Sequence, residues 1–147
     1  MANAGETRLI VPALAPLYNC TAALTNPMLR VVFALLIVPS GLAKCTNPEF
    51  AAHVTDIIAR LGFAPPRAWF WFVAFLETAG VVAFAAGLFT RVWGALFTIE
   101  MLIIAIGVHW PTGKGYQYPL LLATVAFALT LRGGGRWSLD RLIGREF

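Results

Sequence analysis

The feature that most constrains this chain is an uninterrupted apolar run, Ala68 to Leu88 (AWFWFVAFLETAGVVAFAAGL), 21 residues long with a single charge, Glu77. About 20 apolar residues at ~1.5 Å rise cross the ~30 Å hydrocarbon core of a bilayer. Inside lipid only helices and closed barrels satisfy every backbone polar group, so a run of this length reads as a transmembrane helix. A carboxylate near its middle is costly there and marks a functional-site hypothesis.

Composition agrees. Of the 147 residues 59% are hydrophobic and only 12% charged, about half the charged share of a typical soluble domain, roughly 25%. Four spans follow from the pattern. Ala68–Leu88 and Val92–Trp110 are separated only by Phe89, Thr90 and Arg91, a turn short enough to make them an antiparallel hairpin. Pro27–Ala43 is opened by Asn26 as the expected N-cap, with Pro27 at the first helical position, and Pro39 is expected to kink it. Tyr116–Leu131 ends at the triple glycine Gly133–Gly135. The expectation is an all-α, integral membrane, antiparallel four-helix bundle, with an N-terminal interfacial segment over residues 1–26, a membrane domain over 27–131 and a tail over 132–147.

Two flanking segments complete this reading. Leu9–Pro16 is apolar but broken by Pro12 and Pro16, and no strongly basic stretch precedes it as a secretory signal requires. It is expected to stay attached at the lipid surface. Between the first two spans, Phe50, Val54, Ile57, Ile58 and Leu61 recur at i, i+4, i+7, i+8 and i+11, which predicts an amphipathic helix in the membrane interface.

Orientation follows from the basic residues. Arg8, Arg30, Arg91, Arg132, Arg136, Arg141 and Arg145 fall on the side that holds both termini, against Lys44, Arg60, Arg67 and Lys114 on the other. The positive-inside rule then places both termini in the cytoplasm of a bacterial inner membrane. Trp69, Trp71 and Trp110 lie at the outer span ends and Trp93 and Trp137 at the inner ones, as headgroup-level anchors do. The net charge of +4 reads as attraction to the membrane surface and not to nucleic acid, because the arginines sit beside spans.

The candidate site residues are the polar groups that lipid makes expensive. On a helix Glu77 shares its face with Val73, Ala74, Gly80, Val81 and Phe84. Small residues there suit close helix contact, so Glu77 is expected to point into the bundle. Glu100 lies at matching depth in the next span, beside Trp93, Leu96, Ile103 and Gly107, a bulkier face that could equally meet a partner protein. For both acids a neutral carboxyl bonded to a neighbouring helix competes with a working proton or ligand site. Arg30 and Lys44 lie on one stripe with Ala34, Ile37 and Gly41, about 21 Å apart at ~1.5 Å per residue. Headgroup snorkelling explains both cations. Arg30, however, sits in a first helical turn, where the helix dipole disfavours a cation, which makes Glu77 its expected anionic partner.

Other chemistries find little support. His53 and His109 form no pair inside the bilayer, so a bis-histidine haem is not expected, and no bound metal or cofactor is assigned to this chain. Cys20 and Cys45 belong to opposite ends of the first span, and there is no C-x-x-C, G-x-G-x-x-G, P-loop or H-E-x-x-H.

Three motifs carry a family resemblance. Arg30–Lys44 (RVVFALLIVPSGLAK) resembles the arginine, glycine, lysine signature in the first helix of the DoxX family of small membrane proteins. Glu77–Arg91 (ETAGVVAFAAGLFTR) resembles its second-helix motif, a glutamate followed by glycines and a Gly-Leu-x-Thr-Arg ending. Gly133–Asp140 (GGGRWSLD) is similar to its closing element. The matching positions are Arg30, Gly41, Lys44, Glu77, Gly87, Arg91, Arg136, Ser138 and Asp140. Gln117 stands where relatives often have glutamate, and the cysteine pair of some relatives is missing.

The resemblance implies a four-helix bundle whose relatives include the small membrane subunit of a thiosulfate:quinone oxidoreductase and membrane partners of oxidative-stress enzymes. Two function classes fit. One is a non-catalytic accessory subunit of a membrane-bound redox, quinone-linked or photosynthetic electron-transfer complex, with other membrane subunits or its own copies as partners and a quinone or lipid as the possible ligand. The other is a small proton-coupled transporter or quinone-reacting protein that uses Glu77 and Glu100.

Overall fold

The computed structural model describes residue 13 and residues 15–144. Among these the chain is helical, with no strand. Helix α1 runs Ala15–Thr46, α2 Pro48–Arg60, α3 Pro66–Ala86, α4 Thr90–His109, α5 Gln117–Arg132 and α6 Leu139–Ile143. Three stretches are long and apolar enough to cross a membrane: Leu24–Thr46 of α1, all of α3 and all of α4. Helix α5, with 16 residues, is about 24 Å long at ~1.5 Å per residue, shorter than the hydrocarbon core.

One expectation about the first helix is revised. Asn26 does not cap a helix that opens at Pro27, because α1 begins at Ala15 and continues through both Pro27 and Pro39. Lipid supplies the reason: a backbone that leaves the helix has no water to bond, so membrane helices hold their form through proline. The first helix thereby takes in residues assigned from the sequence to the N-terminal segment. Of Leu9–Pro16, residues 9–12 and 14 lie outside the described residues, as do Arg8 and Arg145.

Helix α2 forms where the 3.6-residue pattern predicts. Asn47 caps it, its side-chain oxygen accepting from Glu49 N–H at 3.0 Å and Phe50 N–H at 3.1 Å, and Pro48 occupies the first turn. The expected apolar stripe is present, but it faces protein. Phe50, Val54, Ile57, Ile58 and Leu61 all line a cavity against α3 and α4. Ile58 is buried there and the other four are half-buried.

The core joins α1, α3, α4 and α5. Phe33, Phe84 and Phe97 meet pairwise with ring centroids 5.4, 5.1 and 5.5 Å apart, in the tilted and edge-on arrangements that aromatic quadrupoles favour. Met101, Leu122, Ala126 and Leu129 extend this cluster toward α5. Small residues permit the closest approaches, as helices in lipid require. A β-carbon on Gly94 would stand 2.5 Å from Thr130 Oγ1, and one on Gly41 would stand 2.5 Å from the Glu77 carbonyl oxygen.

Both glutamate-bearing helices contain π-helical turns. In α3 the turn covers Leu76–Gly80 and includes Glu77; in α4 it covers Ile104–His109, just beyond Glu100. Single π turns widen a helix locally and recur at functional sites.

Candidate functional site: a polar-floored cavity and a C-terminal clasp

The candidate site residues fall into two clusters at opposite ends of the long helices. The first is the floor of a cavity of about 610 Å³. The last turn of α1, the apolar stripe of α2, the first half of α3 and the second half of α4 enclose it. Its walls are aliphatic and aromatic, and its floor is charged. Lys44 Nζ donates to Glu77 Oε2 at 2.5 Å and to Ser40 Oγ at 2.8 Å, and lies 5.6 Å from the centroid of the Phe50 ring on α2. Lys44 and Glu77 are both buried, Glu77 to 2% exposure. A charge pair this far from water persists only with tight geometry and additional hydrogen bonds; Ser40 supplies one, and the Phe50 ring adds a cation–π contact.

Glu100 completes the floor. Its carboxyl lies beside those of the Lys44–Glu77 pair, yet neither of its buried oxygens has a hydrogen-bond partner of good geometry among the described residues. The bulkier helix face that could have met a partner protein turns inward here, with Leu96 and Ile103 lining the same cavity. An unsatisfied buried carboxyl is a strong acceptor, or when protonated a donor, directed at whatever fills the space. His53, His109 and Lys114 also line the cavity. His53 and Lys114 are exposed, and His109 Nδ1 is 3.2 Å from the Gly115 carbonyl oxygen. The cavity thus runs from a polar mouth to a charged floor between apolar walls.

The second cluster gathers the remaining motif positions. Arg30 is 1% exposed and donates from Nη2 to the Trp137 carbonyl oxygen at 2.5 Å. The expected Arg30–Glu77 pair therefore does not form: Glu77 bonds Lys44, while Arg30 meets the chain that follows α5. Two facts explain the exchange. Gly41 lets α1 touch the α3 backbone at Glu77, which brings the lysine one turn later within reach of that carboxylate. Arg30 instead lies beside the α3–α4 turn, where the C-terminal segment returns. Its Nε and Nη1 have no hydrogen-bond partner among the described residues.

Asp140 is the hub of that return. Its carboxylate accepts from Phe89 N–H at 2.6 Å, Thr90 N–H at 3.0 Å and Thr90 Oγ1 at 3.1 Å, while its own N–H donates to the Gly87 carbonyl at 3.0 Å. A carboxylate satisfying amides at the start of α4 also complements the helix dipole. Ser138 caps α6 by accepting from Arg141 N–H at 3.3 Å. Gly87 is required twice over: its φ is +75°, and a β-carbon there would collide with the Arg30 guanidinium. Arg91 and Arg136 lie on the surface.

The tryptophans divide. Trp71, Trp110 and Trp137 are exposed, and Trp69 combines exposure with a place in the cavity wall. Trp93 departs from the expected anchor role. Its ring packs on Gly80 and lies 6.1 Å from Phe75, and its Nε1 is buried. Gly80 leaves the room that draws the indole inward.

The fold and these clusters define a polytopic membrane protein with a ligand-sized cavity at one end and a buried clasp at the other. The DoxX family model matches residues 27–110, and the chain belongs to the DoxX family. No curated protein and no solved structure matches the chain. The matched region covers the first two motifs and, apart from Lys114, the cavity lining. The clasp residues Ser138 and Asp140 lie beyond it, and no sequence signal tied them to the α4 N-terminus, because a cap supplied from 50 residues downstream leaves no local pattern. Among the described residues no three His, Cys, Asp or Glu side chains gather to hold a metal ion.

Proposed function

We propose that this protein is an accessory subunit of a quinone-linked, membrane-bound electron-transfer complex and that it holds a quinone or lipid in the α2-covered cavity. In this reading α1, α3, α4 and the shorter α5 form an antiparallel four-helix bundle in a bacterial inner membrane, with both termini in the cytoplasm and other membrane subunits or further copies of the chain as partners. The observation that carries it is the cavity itself: about 610 Å³, apolar along its walls, with Lys44, Glu77 and Glu100 converging on its floor. Small-molecule sites are characteristically clefts of ~300–1,000 Å³ with a few convergent polar groups.

The chemistry of such a ligand fits these surroundings. A quinone carbonyl can accept from Lys44, the matching hydroxyl of the reduced form can donate to Glu100, and an isoprenoid tail suits the aliphatic wall. A second reading, in which Glu77 and Glu100 themselves exchange protons in a quinone-reacting protein or proton-coupled transporter, is favoured by the unpartnered Glu100 carboxyl beside the Lys44–Glu77 pair.

Purification from native membranes in mild detergent separates the two. The subunit reading expects stoichiometric co-purification of a cofactor-bearing polypeptide, together with extractable quinone that falls in Glu100→Gln. Recovery of the bare chain with bound quinone favours the second reading. Recovery with neither contradicts the subunit reading and leaves, of the second, the proton-coupled transporter.

A further inference from the structure

The outer face of the C-terminal clasp carries chemistry that its inner face does not use. The inner side is spent on structure, since Asp140 holds the start of α4 and the Trp137 carbonyl holds Arg30. The outer side presents Trp137 at 66%, Leu142 at 82% and Ile143 at 60% exposure, interleaved with exposed Arg132, Arg136 and Arg141. The only acid between Arg132 and Gly144 is Asp140, and it is buried. No exposed carboxylate in this stretch balances the three arginines.

Position decides what this surface meets. The clasp bonds Gly87, Phe89 and Thr90, which lie where α3 ends and α4 begins, so it sits at the ends of two membrane-length helices, at headgroup depth. Apolar side chains among arginines at that depth suit a monolayer: the aliphatic and indole groups enter the acyl boundary while the guanidinium groups meet phosphate. We infer that the clasp is a docking surface for anionic phospholipid, and that the three arginines make it selective for anionic over zwitterionic headgroups.

The selectivity has a scale. One basic residue near an anionic surface gains about fivefold in association, and the gain disappears over a Debye length of salt. The test uses the full-length protein in phosphatidylcholine nanodiscs that contain an equal small share of either brominated phosphatidylcholine or brominated phosphatidylglycerol. Subtracting the emission of Trp137→Phe isolates Trp137. That substitution spares the Arg30 contact, which is made to the backbone.

The expected result is an apparent association at Trp137 at least about fivefold stronger for the brominated phosphatidylglycerol. The ratio should fall toward one in Arg132→Gln/Arg136→Gln/Arg141→Gln and in high salt, with the thermal midpoint in detergent unchanged, because all three side chains are exposed. Equal quenching by both lipids would overturn the proposal. So would a preference that survives the triple substitution, or absence of quenching by either lipid, which would place the clasp in water or against a second copy of the chain.

Discussion

Neutralising both members of the Lys44–Glu77 pair should cost clearly less than the sum of neutralising each alone. Lys44→Met keeps the length of the stem but removes the charge, and leaves Glu77, 2% exposed and bonded at 2.5 Å, without its cation. Glu77→Gln deprives the ammonium of its bonded carboxylate and leaves it with Ser40, the Phe50 ring and the neighbouring Glu100. Breaking a buried pair by removing one partner costs roughly 3–5 kcal/mol. Membrane helices stay inserted and find other partners when their packing is lost, which places this case near the lower figure, about 3 kcal/mol. For a chain of this length each kcal/mol moves the midpoint by roughly 2–4 °C, so each single variant should melt roughly 6–12 °C below the wild type. Lys44→Met/Glu77→Gln removes both charges and should recover about 2 kcal/mol of the summed losses, a coupling of the size neighbours in contact show. The assay is thermal unfolding of all four proteins in one detergent. Single variants within about 0.5 kcal/mol of the wild type, or a double variant equal to the sum of the singles, would refute the pairing.

Three further outcomes follow from the same contacts. Gly41→Ala forces a β-carbon to 2.5 Å from a backbone oxygen of α3, and overpacking of this kind costs about 1–3 kcal/mol; a lowered melting midpoint together with weakened quinone binding is expected, since the α1–α3 contact sets the cavity floor. Asp140→Ala strands the Phe89 and Thr90 amides, at roughly 1–3 kcal/mol for unsatisfied buried donors, and amide hydrogen exchange should rise in the first turn of α4 before it rises elsewhere. Glu100→Gln keeps the size of the side chain but replaces a carboxyl on the cavity floor by an amide, a weaker acceptor than a carboxylate, and should weaken quinol binding about fivefold; binding can be followed by equilibrium dialysis.

What was legible in the sequence follows from periodicity. The apolar runs marked the three long helices, the 3.6-residue stripe of α2 placed the roof of the cavity, and the small residues around Glu77 indicated that it points inward. Partner choice was not legible, because it depends on where helices touch. Lys44 reaches Glu77 only because Gly41 brings two backbones together at a π turn, and a turn of that kind has no signature in a run of apolar residues. The dipole argument for Arg30 assumed a helix opening at Pro27; α1 begins at Ala15 instead, and the guanidinium bonds not an anion but the carbonyl of Trp137, 107 positions away. Trp93 was misplaced for a related reason. Its spacing in the span suited an anchor, while Gly80 on the neighbouring helix offered a slot that only the folded pair creates.

The central claim is that the cavity beneath α2 holds a quinone with its ring against Lys44, Glu77 and Glu100. Photolabelling the full-length protein in native-like membranes, with a quinone carrying a diazirine on its ring and mass-spectrometric mapping of the adducts, tests it most directly. Adducts concentrated on Ser40–Lys44, Val73–Glu77 and Leu96–Ile104, competed by unlabelled quinone and lost in Gly41→Ala, are predicted. Adducts confined to outward residues such as Leu35, Val82 and Leu131, and insensitive to competition, would contradict it.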